Sequence, residues 1–382
     1  MNNLMHYMEF VEDPRDIRGK RYRLTDLLVM TIYGILNGHT DFSNIAFFLK
    51  LHEDYFKNLL HIDKTPSHDC LSDLFATIDP NEFMTQFVLW VEDISKQHKN
   101  SLVAIDGKAI KSARDKLNKG NVPYVVSAFL TDAGISIGQV KVKDGSSEHP
   151  TIPQLIDLLD IRGLTVTIDA IGTQVDIIET IISKNAHFVL KVKNNQRDLF
   201  NDIKAYFDTE LGRKHNDIFF KSTRFEKDHG RIEQRDYFVS YDTSYILDTE
   251  KWKHVKSIGM VRVYKEINGN LTINEYYYIM DRKITMDLFM KATRNHWHIE
   301  NKLHWILDVV FDEDHQRSRV GHSIENLTLL RKIVFNLVRL DDSFDNQNLS
   351  LKKKLTSYNA NFSLIEQLIF SSFPNLLLKL RS

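Results

Sequence analysis

Cysteine is almost absent: Cys70 is the single one in 382 residues. One thiol cannot close an intramolecular disulfide, so a disulfide-stapled fold is excluded, and the usage fits a reducing compartment. An excess of charge of either sign is absent too, with 50 Lys and Arg against 51 Asp and Glu and a formal net charge of −1. A uniformly basic surface is thereby excluded, and attraction for a polyanion has to come from local clusters. Long hydrophobic runs are missing. The longest, Leu24 to Leu36, is broken by Thr25 and Asp26 and is too short to span a bilayer. The opening residues MNNLMHYMEF lack a basic segment followed by an apolar one, so no secretory signal is expected. These absences point to a cytosolic protein without membrane association. No G-x-G-x-x-G follows a strand-like run and no G-x-x-x-x-G-K-[ST] occurs, which leaves dinucleotide and P-loop enzymes without support.

What is present is ordinary globular composition, 42% hydrophobic and 26% charged, over enough residues for one large domain and one or two smaller ones. Residues 1 to about 95 read as short helices. Leu24, Leu27, Leu28, Thr31, Ile32 and Ile35 make a helical stripe, and Asp41-Phe42-Ser43 starts the next helix. Ser67 is placed as the N-cap of another, ahead of Leu71, Leu74 and Phe75, and Asp79-Pro80 restarts a last one through Phe83, Phe87, Val88 and Val91. Such a region is either a DNA-binding bundle or a plain helical subdomain, and the pattern favours neither. From Ser101 strand-like runs appear at 101–106, 124–130 and 135–143, followed by helix 151–160, strand 164–169, helix 174–184 and strand 187–192. That order predicts an α/β fold with a mixed sheet flanked by helices. Residues 216–280 carry further β signals, with a turn at Asn268-Gly269-Asn270, and predict an antiparallel insertion. Helix resumes over 285–311 and again over 322–340, where Leu327, Leu330, Ile333, Val334, Leu337 and Val338 share one side. There is no internal repeat.

Three acidic residues stand where metal-assisted chemistry wants carboxylates. Asp106 ends the apolar run Leu102-Val103-Ala104-Ile105, and Asp169 ends Leu164-Thr165-Val166-Thr167-Ile168. Alternation puts Leu164, Val166 and Ile168 on one face of that strand and Thr165 and Thr167 on the other. In the later helix, Ile299, Leu303, Ile306 and Val310 form a buried stripe, with Glu300, His304 and Asp308 on a second stripe about 100° around. The three acids converge only if the two strands are neighbours and the helix packs across them. Oxygen donors with few protein contacts suit Mg²⁺ or Mn²⁺, and two such ions assist in-line displacement at a phosphodiester. His304 beside Glu300 invites a transition-metal reading, but no third His or Cys has matching spacing. An isolated strand-end Asp is more often a turn or cap residue, so the neighbouring cations matter. Asp106 is followed by Gly107 and then Lys108, Lys111 and Arg114. Lys191 near the end of the strand at 187–192 is followed by Lys193 and Arg197, with Asn194, Asn195 and Gln196 between. These groups suit phosphate backbones; otherwise they are solvated charged loops.

The strings AIDGKAIKSAR, TIDAIGTQ, VLKVKNNQ, HGRIEQR and RNHWHIENKLHWILDVVFDEDHQRSR, in this order, resemble the DDE transposases of insertion sequences, in particular the H-repeat-associated group linked to Rhs elements. DPRDIRGKRYRLTDLLVMTIYGILNG and PSHDCLSDLFATIDPNEF resemble that group's associated amino-terminal domain, so the likeness runs from about residue 10 to about 340. The resemblance implies a ribonuclease H-like catalytic core over 96–340, with a β-rich insertion at about 210–282 before the glutamate helix. A helical amino-terminal domain over 1–95 precedes it and a helical tail over 341–382 follows. It implies that Asp106, Asp169 and Glu300 are the catalytic, metal-binding triad, served by Mg²⁺ or Mn²⁺, two ions with DNA bound. It further implies that Arg294, His296, Trp297, Asn301, His304, Trp305 and Asp308 shape the site or grip the DNA end. Trp297 and Trp305 are either base-stacking or core aromatics. Thr173 stands where the group commonly has cysteine, Met280-Asp281 where a serine pair is usual, and 144–149 departs from a Lys-Ser-Asn-Glu pattern.

The expected partner is double-stranded DNA, at element ends and target, with a homodimer on DNA by analogy and a bacterial, nucleoid-associated location. The expected function is metal-dependent DNA cleavage and strand transfer. The alternative is an immobile or domesticated relative that acts as a metal-dependent nuclease or as a non-catalytic DNA-binding protein. The basic run Lys352-Lys353-Lys354 reads as a solvated face.

Overall fold

The computed structural model describes residues 3–95, 101–113, 122–213, 218–227, 231–267, 270–344, 347 and 349–371. Six helices come first: α1 (Leu4–Met8), α2 (Leu24–Leu36), α3 (Phe42–Leu51), α4 (Glu53–Leu60), α5 (His68–Thr77) and α6 (Pro80–Ser95). Then follow β1 (Leu102–Ala109), β2 (Tyr124–Leu130), β3 (Ile135–Lys141), α7 (Thr151–Leu158), β4 (Thr165–Ile168), α8 (Val175–Ser183), β5 (His187–Val192) and α9 (Arg197–Glu210). Four long strands come next, β6 (Ile218–Lys227), β7 (Arg231–Ser240), β8 (Ser257–Ile267) and β9 (Asn270–Met280). The chain closes with α10 (Met286–Asn295), a π-helical turn Ile299–His304, α11 (Trp305–Val309), α12 (Ser323–Leu340), α13 (Leu351–Ala360) and α14 (Phe362–Phe370). No helix among the described residues is long and apolar enough to cross a membrane. Two compact units divide the chain: Met1–His98, Gly107–Thr151 and Glu300–Ser382 form one, Lys99–Asp106 and Ile152–Ile299 the other.

In the second unit the strands run β1-β4-β5-β9-β8-β7-β6. β1, β4 and β5 are parallel, with Leu102 opposite Thr165 and Thr165 opposite His187, and α8 makes the crossover between β4 and β5. β9 turns antiparallel to β5, and β6 to β9 continue as an antiparallel ribbon, the β-rich insertion expected from the sequence. The Asn268-Gly269 turn lies outside the described residues. Every residue of β4 is buried. Its two threonines, read as a polar face, are covered: Arg282 Nη2 donates to Thr165 Oγ1 at 3.0 Å, and Thr167 Oγ1 meets His296 Nδ1 at 3.3 Å. Phe289 of α10 packs with Tyr237, Val261 and Met280 of the ribbon. Gly259 makes room for it, since a Cβ there would lie 2.5 Å from the Phe289 ring.

In the first unit α12 is buried nearly throughout, including Arg331, Lys332, Asn326 and Asn336. The one-sided stripe expected over 322–340 is therefore a spine packed all round, and its polar residues are pegs. Asn336 pairs with the backbone of β3, accepting from Ser136 N–H at 2.9 Å and donating to Ser136 O at 2.8 Å. An amide thus meets polar backbone that an edge strand would otherwise leave open. Asn326 Nδ2 donates to Phe75 O and Ile78 O at the end of α5. Lys354 Nζ donates to Val338 O and Asp341 O, so one lysine of the run at 352–354 caps α12 while Lys352 and Lys353 face solvent. Ser67 caps α5 as expected, accepting from Cys70 N–H.

The continuous helix expected over 285–311 is not observed. α10 ends at Asn295, and chain 299–304 winds as a π turn. Asn, His, Trp and His at 295–298 are weak helix formers, and the wider turn accommodates an extra residue while Ile299, Leu303 and Leu307 stay buried. Such turns recur at functional sites.

Candidate active site

Asp106 and Asp169 are brought together by register. Ile105 stands opposite Ile168 in the parallel β1–β4 pair, so the next residue on each chain lies at the same end of neighbouring strands, about 4.8 Å apart in the pairing direction. Carboxyl ends of parallel strands are where open α/β sheets bind ligands. β1 itself continues past Asp106 to Ala109, three residues beyond the expected strand end. Gly107, next to Asp106, is required by crowding: a Cβ there would sit 2.2 Å from the Tyr124 ring and 2.7 Å from the Glu148 carboxylate.

Asp169 begins the 3₁₀ turn Ala170–Gly172 and is half-buried. Lys193 Nζ donates to its Oδ2 at 2.9 Å, and Lys191 Nζ lies 3.5 Å from Oδ1. Burial works to raise the Asp169 carboxyl, but the Lys193 hydrogen bond and the Lys191 charge hold it below the usual carboxylate range. Lys191 is pushed below the ordinary lysine value by burial, with Asp169 opposing, and lies 4.5 Å from the centre of the Tyr276 ring. Asn195 and Gln196, read as phosphate contacts, act as braces: Asn195 Nδ2 donates to Ala170 O at 2.7 Å, and Gln196 Nε2 to Thr173 O at 3.0 Å. Thr173 Oγ1 donates to Lys191 O at 2.7 Å, so the hydroxyl at the expected cysteine position fastens the turn after β4 to strand β5. Asp281, a departure from the usual serine pair, accepts from Phe188 N–H at 2.9 Å and lies 2.7 Å from His187 Nδ1. Arg294 is exposed, and Trp297, at 53% exposure, is no core aromatic.

The first unit holds the other candidates. Glu300 is half-exposed on the π turn, with its Oε2 3.7 Å from Nδ1 of the buried His304. Burial drives His304 below its ordinary pKa against the pull of Glu300, which favours a neutral imidazole. Asn301 and Trp305 are exposed, Trp305 by 56%, which again excludes a core role. Lys108 departs from the expectation of a phosphate ligand. Its ammonium is turned inward, bonded to Asp308 and, at 2.6 Å, to the fully buried Glu313. Burial opposes the charge on Lys108, yet Glu313 and Asp308 raise its pKa. Glu313 is held low by Lys108 against its own burial, whereas burial pushes Asp308 up, so Glu313 is the firmer counter-ion. Lys332 Nζ donates to Gln139 Oε1 at 2.6 Å. Lys111 is exposed and pairs with Asp314 at 3.0 Å. Arg114 lies outside the described residues. Glu313, Lys332 and Gln139 were missed by sequence reasoning. The available signal was the acidic run Asp312-Glu313-Asp314 and two cations, Arg331 and Lys332, inside an apolar helical stretch.

Residues 5–91 match the model of the DDE_Tnp_1-associated family, and residues 97–337 match that of the transposase DDE domain. The chain is 32% identical over 353 residues to the "H repeat-associated putative transposase YhhI" of Escherichia coli, covering 90% of this chain and 92% of that one. It has the same identity and coverage with the Escherichia coli "Putative protein YbfL". With the "H repeat-associated putative transposase YbfD" of that species it shares 31% over 241 residues, 63% of this chain and 94% of the relative.

Proposed function

The chain belongs to the DDE transposase family, and from that premise we propose that it cuts DNA at insertion-sequence ends and joins the freed 3′ ends to target DNA in a divalent-metal-dependent reaction. Membership makes it an enzyme of the endonuclease and transferase kind with a ribonuclease H-like fold, and implies dependence on a divalent metal. The observation that carries the reading is the pairing of β1 with β4, which sets Asp106 beside Asp169 just past the point where the parallel pairing ends. Glu300, on its π turn, is the third carboxylate of the proposed triad. On that turn Glu300 Oε2 lies 3.7 Å from His304 Nδ1. Carboxylates in the majority suit oxygen-seeking Mg²⁺ or Mn²⁺. When bound, two such ions would polarise the attacking water or 3′-hydroxyl and stabilise the leaving oxygen.

The chain's own residues prepare this chemistry. Lys191 and Lys193 keep Asp169 ionised, and Asn195, Gln196 and Thr173 fix the loop that carries it. Lys193, Arg294, Trp297, Asn301 and Trp305 offer charge and ring faces at the surface that suit a DNA end, and a dimer on DNA follows from the need to hold two ends. The test is cleavage and joining of duplexes ending in the element's terminal repeats, with Mg²⁺ or Mn²⁺. Asp106→Asn, Asp169→Asn and Glu300→Gln should each abolish cutting while melting temperature and DNA binding stay near wild type. Cutting at the wild-type rate by any one of them removes that residue from the site. Cutting without joining would make the protein a nuclease.

A further inference from the structure

The helical region 3–95 is acidic, yet its cations are not scattered. Residues 1–95 contain eight Lys and Arg against fifteen Asp and Glu. Five of those eight, Arg15, Arg18, Arg21, Lys50 and Lys64, line one cleft of about 760 Å³ together with His68, while a single acid, Asp73, lines it. A volume of this size accommodates a nucleotide-sized group. Segregating cations into one concavity of an otherwise acidic surface focuses a positive potential there, which a solvated charged face does not require.

The pairing of these cations shows what a ligand would meet. Arg15 is bonded to Asp13, at 2.8 Å, and to Tyr22 O, and it also faces the Cys70 thiol, so it is held by the protein and frames the cleft. Arg18 pairs with Asp16 on a largely exposed surface, where the contact is weak, and Lys50 pairs with Glu53. Arg21 and Lys64 enter no ion pair among the described residues, so their charges are available to an incoming anion. The N-terminus of α5, at Ser67 and His68, borders the same cleft and adds the positive end of its dipole.

We infer that this cleft is a phosphate-binding site for the DNA backbone, separate from the carboxylates that would cut. The assignment of the phosphate to DNA rests on the transposase reading; the anion site does not. Phosphate contacts of this kind position a duplex without reading its sequence. Sequence-independent binding by Lys and Arg is recognised by its salt dependence, each contact contributing roughly one to the slope of log K against log salt.

The experiment uses the full chain, in EDTA so that no cutting occurs, and measures fluorescence anisotropy of a labelled mixed-sequence duplex across a salt series. Arg21→Gln combined with Lys64→Gln should weaken binding on the order of tenfold and lower the salt slope by about two. The melting temperature should be unchanged, because neither side chain has an ion-pair partner to strand. The charge-preserving pair Arg21→Lys and Lys64→Arg should bind like wild type. Unchanged affinity and slope in the glutamine variant overturn the proposal. Inorganic phosphate is the second probe: if it raises the wild-type melting temperature and the glutamine variant abolishes that rise while duplex binding is unaltered, the site takes a free anion and the assignment to DNA is overturned. Failure of the triad variants to affect cutting would instead overturn the catalytic reading and leave this binding result standing.

Discussion

Lys108 and Lys193 are both lysines paired with carboxylates, but they sit in opposite surroundings. The Lys108 side chain is 11% exposed, and its counter-ions are Asp308 and the almost wholly buried Glu313. Lys193 is 51% exposed and meets an Asp169 that is itself 42% exposed. In a low dielectric, charges attract strongly and cost much to leave unpaired; near water both effects shrink. The buried pair fixes local structure and offers little to a ligand. The exposed one contributes little to folding and can exchange its carboxylate for a phosphate or let it turn to a cation.

The sharpest way to break that comparison is Lys108→Met. Removing the ammonium leaves Glu313 buried without its main counter-charge, which costs about 3–5 kcal/mol. Chemical denaturation should show that loss. Combining it with Glu313→Gln should recover part of it, because the stranded charge goes too. A loss below about 1 kcal/mol would mean that water reaches the cluster and that the two lysines do not differ in kind.

These surroundings explain why parts of the molecule were legible in the sequence and others were not. Strand periodicity and the acids at the ends of the apolar runs gave β1 and β4, because a buried parallel strand is a continuous apolar run. Ser67 announced α5 because a cap is a local matter of one side chain and one N–H. The inward turn of Lys108 was not readable, since its partners lie 200 and 205 residues away. Nor was the bracing role of Asn195 and Gln196, which depends on loops after two different strands lying side by side. The π turn escaped for another reason: hydrophobic spacing at 299–307 fits an α-helix well enough, and one extra residue in a turn is set by packing that the pattern does not record.

Lys332 belongs to the buried side of the comparison and should show an intermediate effect. Burial pushes its pKa down to about 8, with Glu313 only partly opposing. From about pH 8 up to the ordinary lysine range, the unfolded chain therefore holds a proton that the folded chain has released. Stability rises with pH wherever the unfolded state binds more protons, so this residue makes the fold more stable as pH climbs through that window. Lys332→Met should remove that rise, as read from denaturation midpoints at pH 7 and pH 9. An identical slope in the variant would place the Lys332 ammonium in contact with water.

Lys193→Ala should have the smallest effect on folding, and it tests the exposed side directly. The pair it removes is half in solvent, so the loss at neutral pH should stay within about 1 kcal/mol. Its sign with pH follows from Asp169. Burial tends to raise that carboxyl, but the Lys193 hydrogen bond, with help from Lys191, brings it below its ordinary value. A depressed carboxyl contributes stability that is present above its unfolded pKa and disappears as pH falls through the folded one. The variant should thus lag wild type slightly at pH 7 and converge with it in acid, as followed by thermal melts across that range. Binding should respond more than folding: losing one exposed cation should lower the salt slope for duplex DNA by about one. A melting temperature that falls as far as that of Lys108→Met would show that Lys193 is a structural ion like its buried counterpart, and the division between the two would fail.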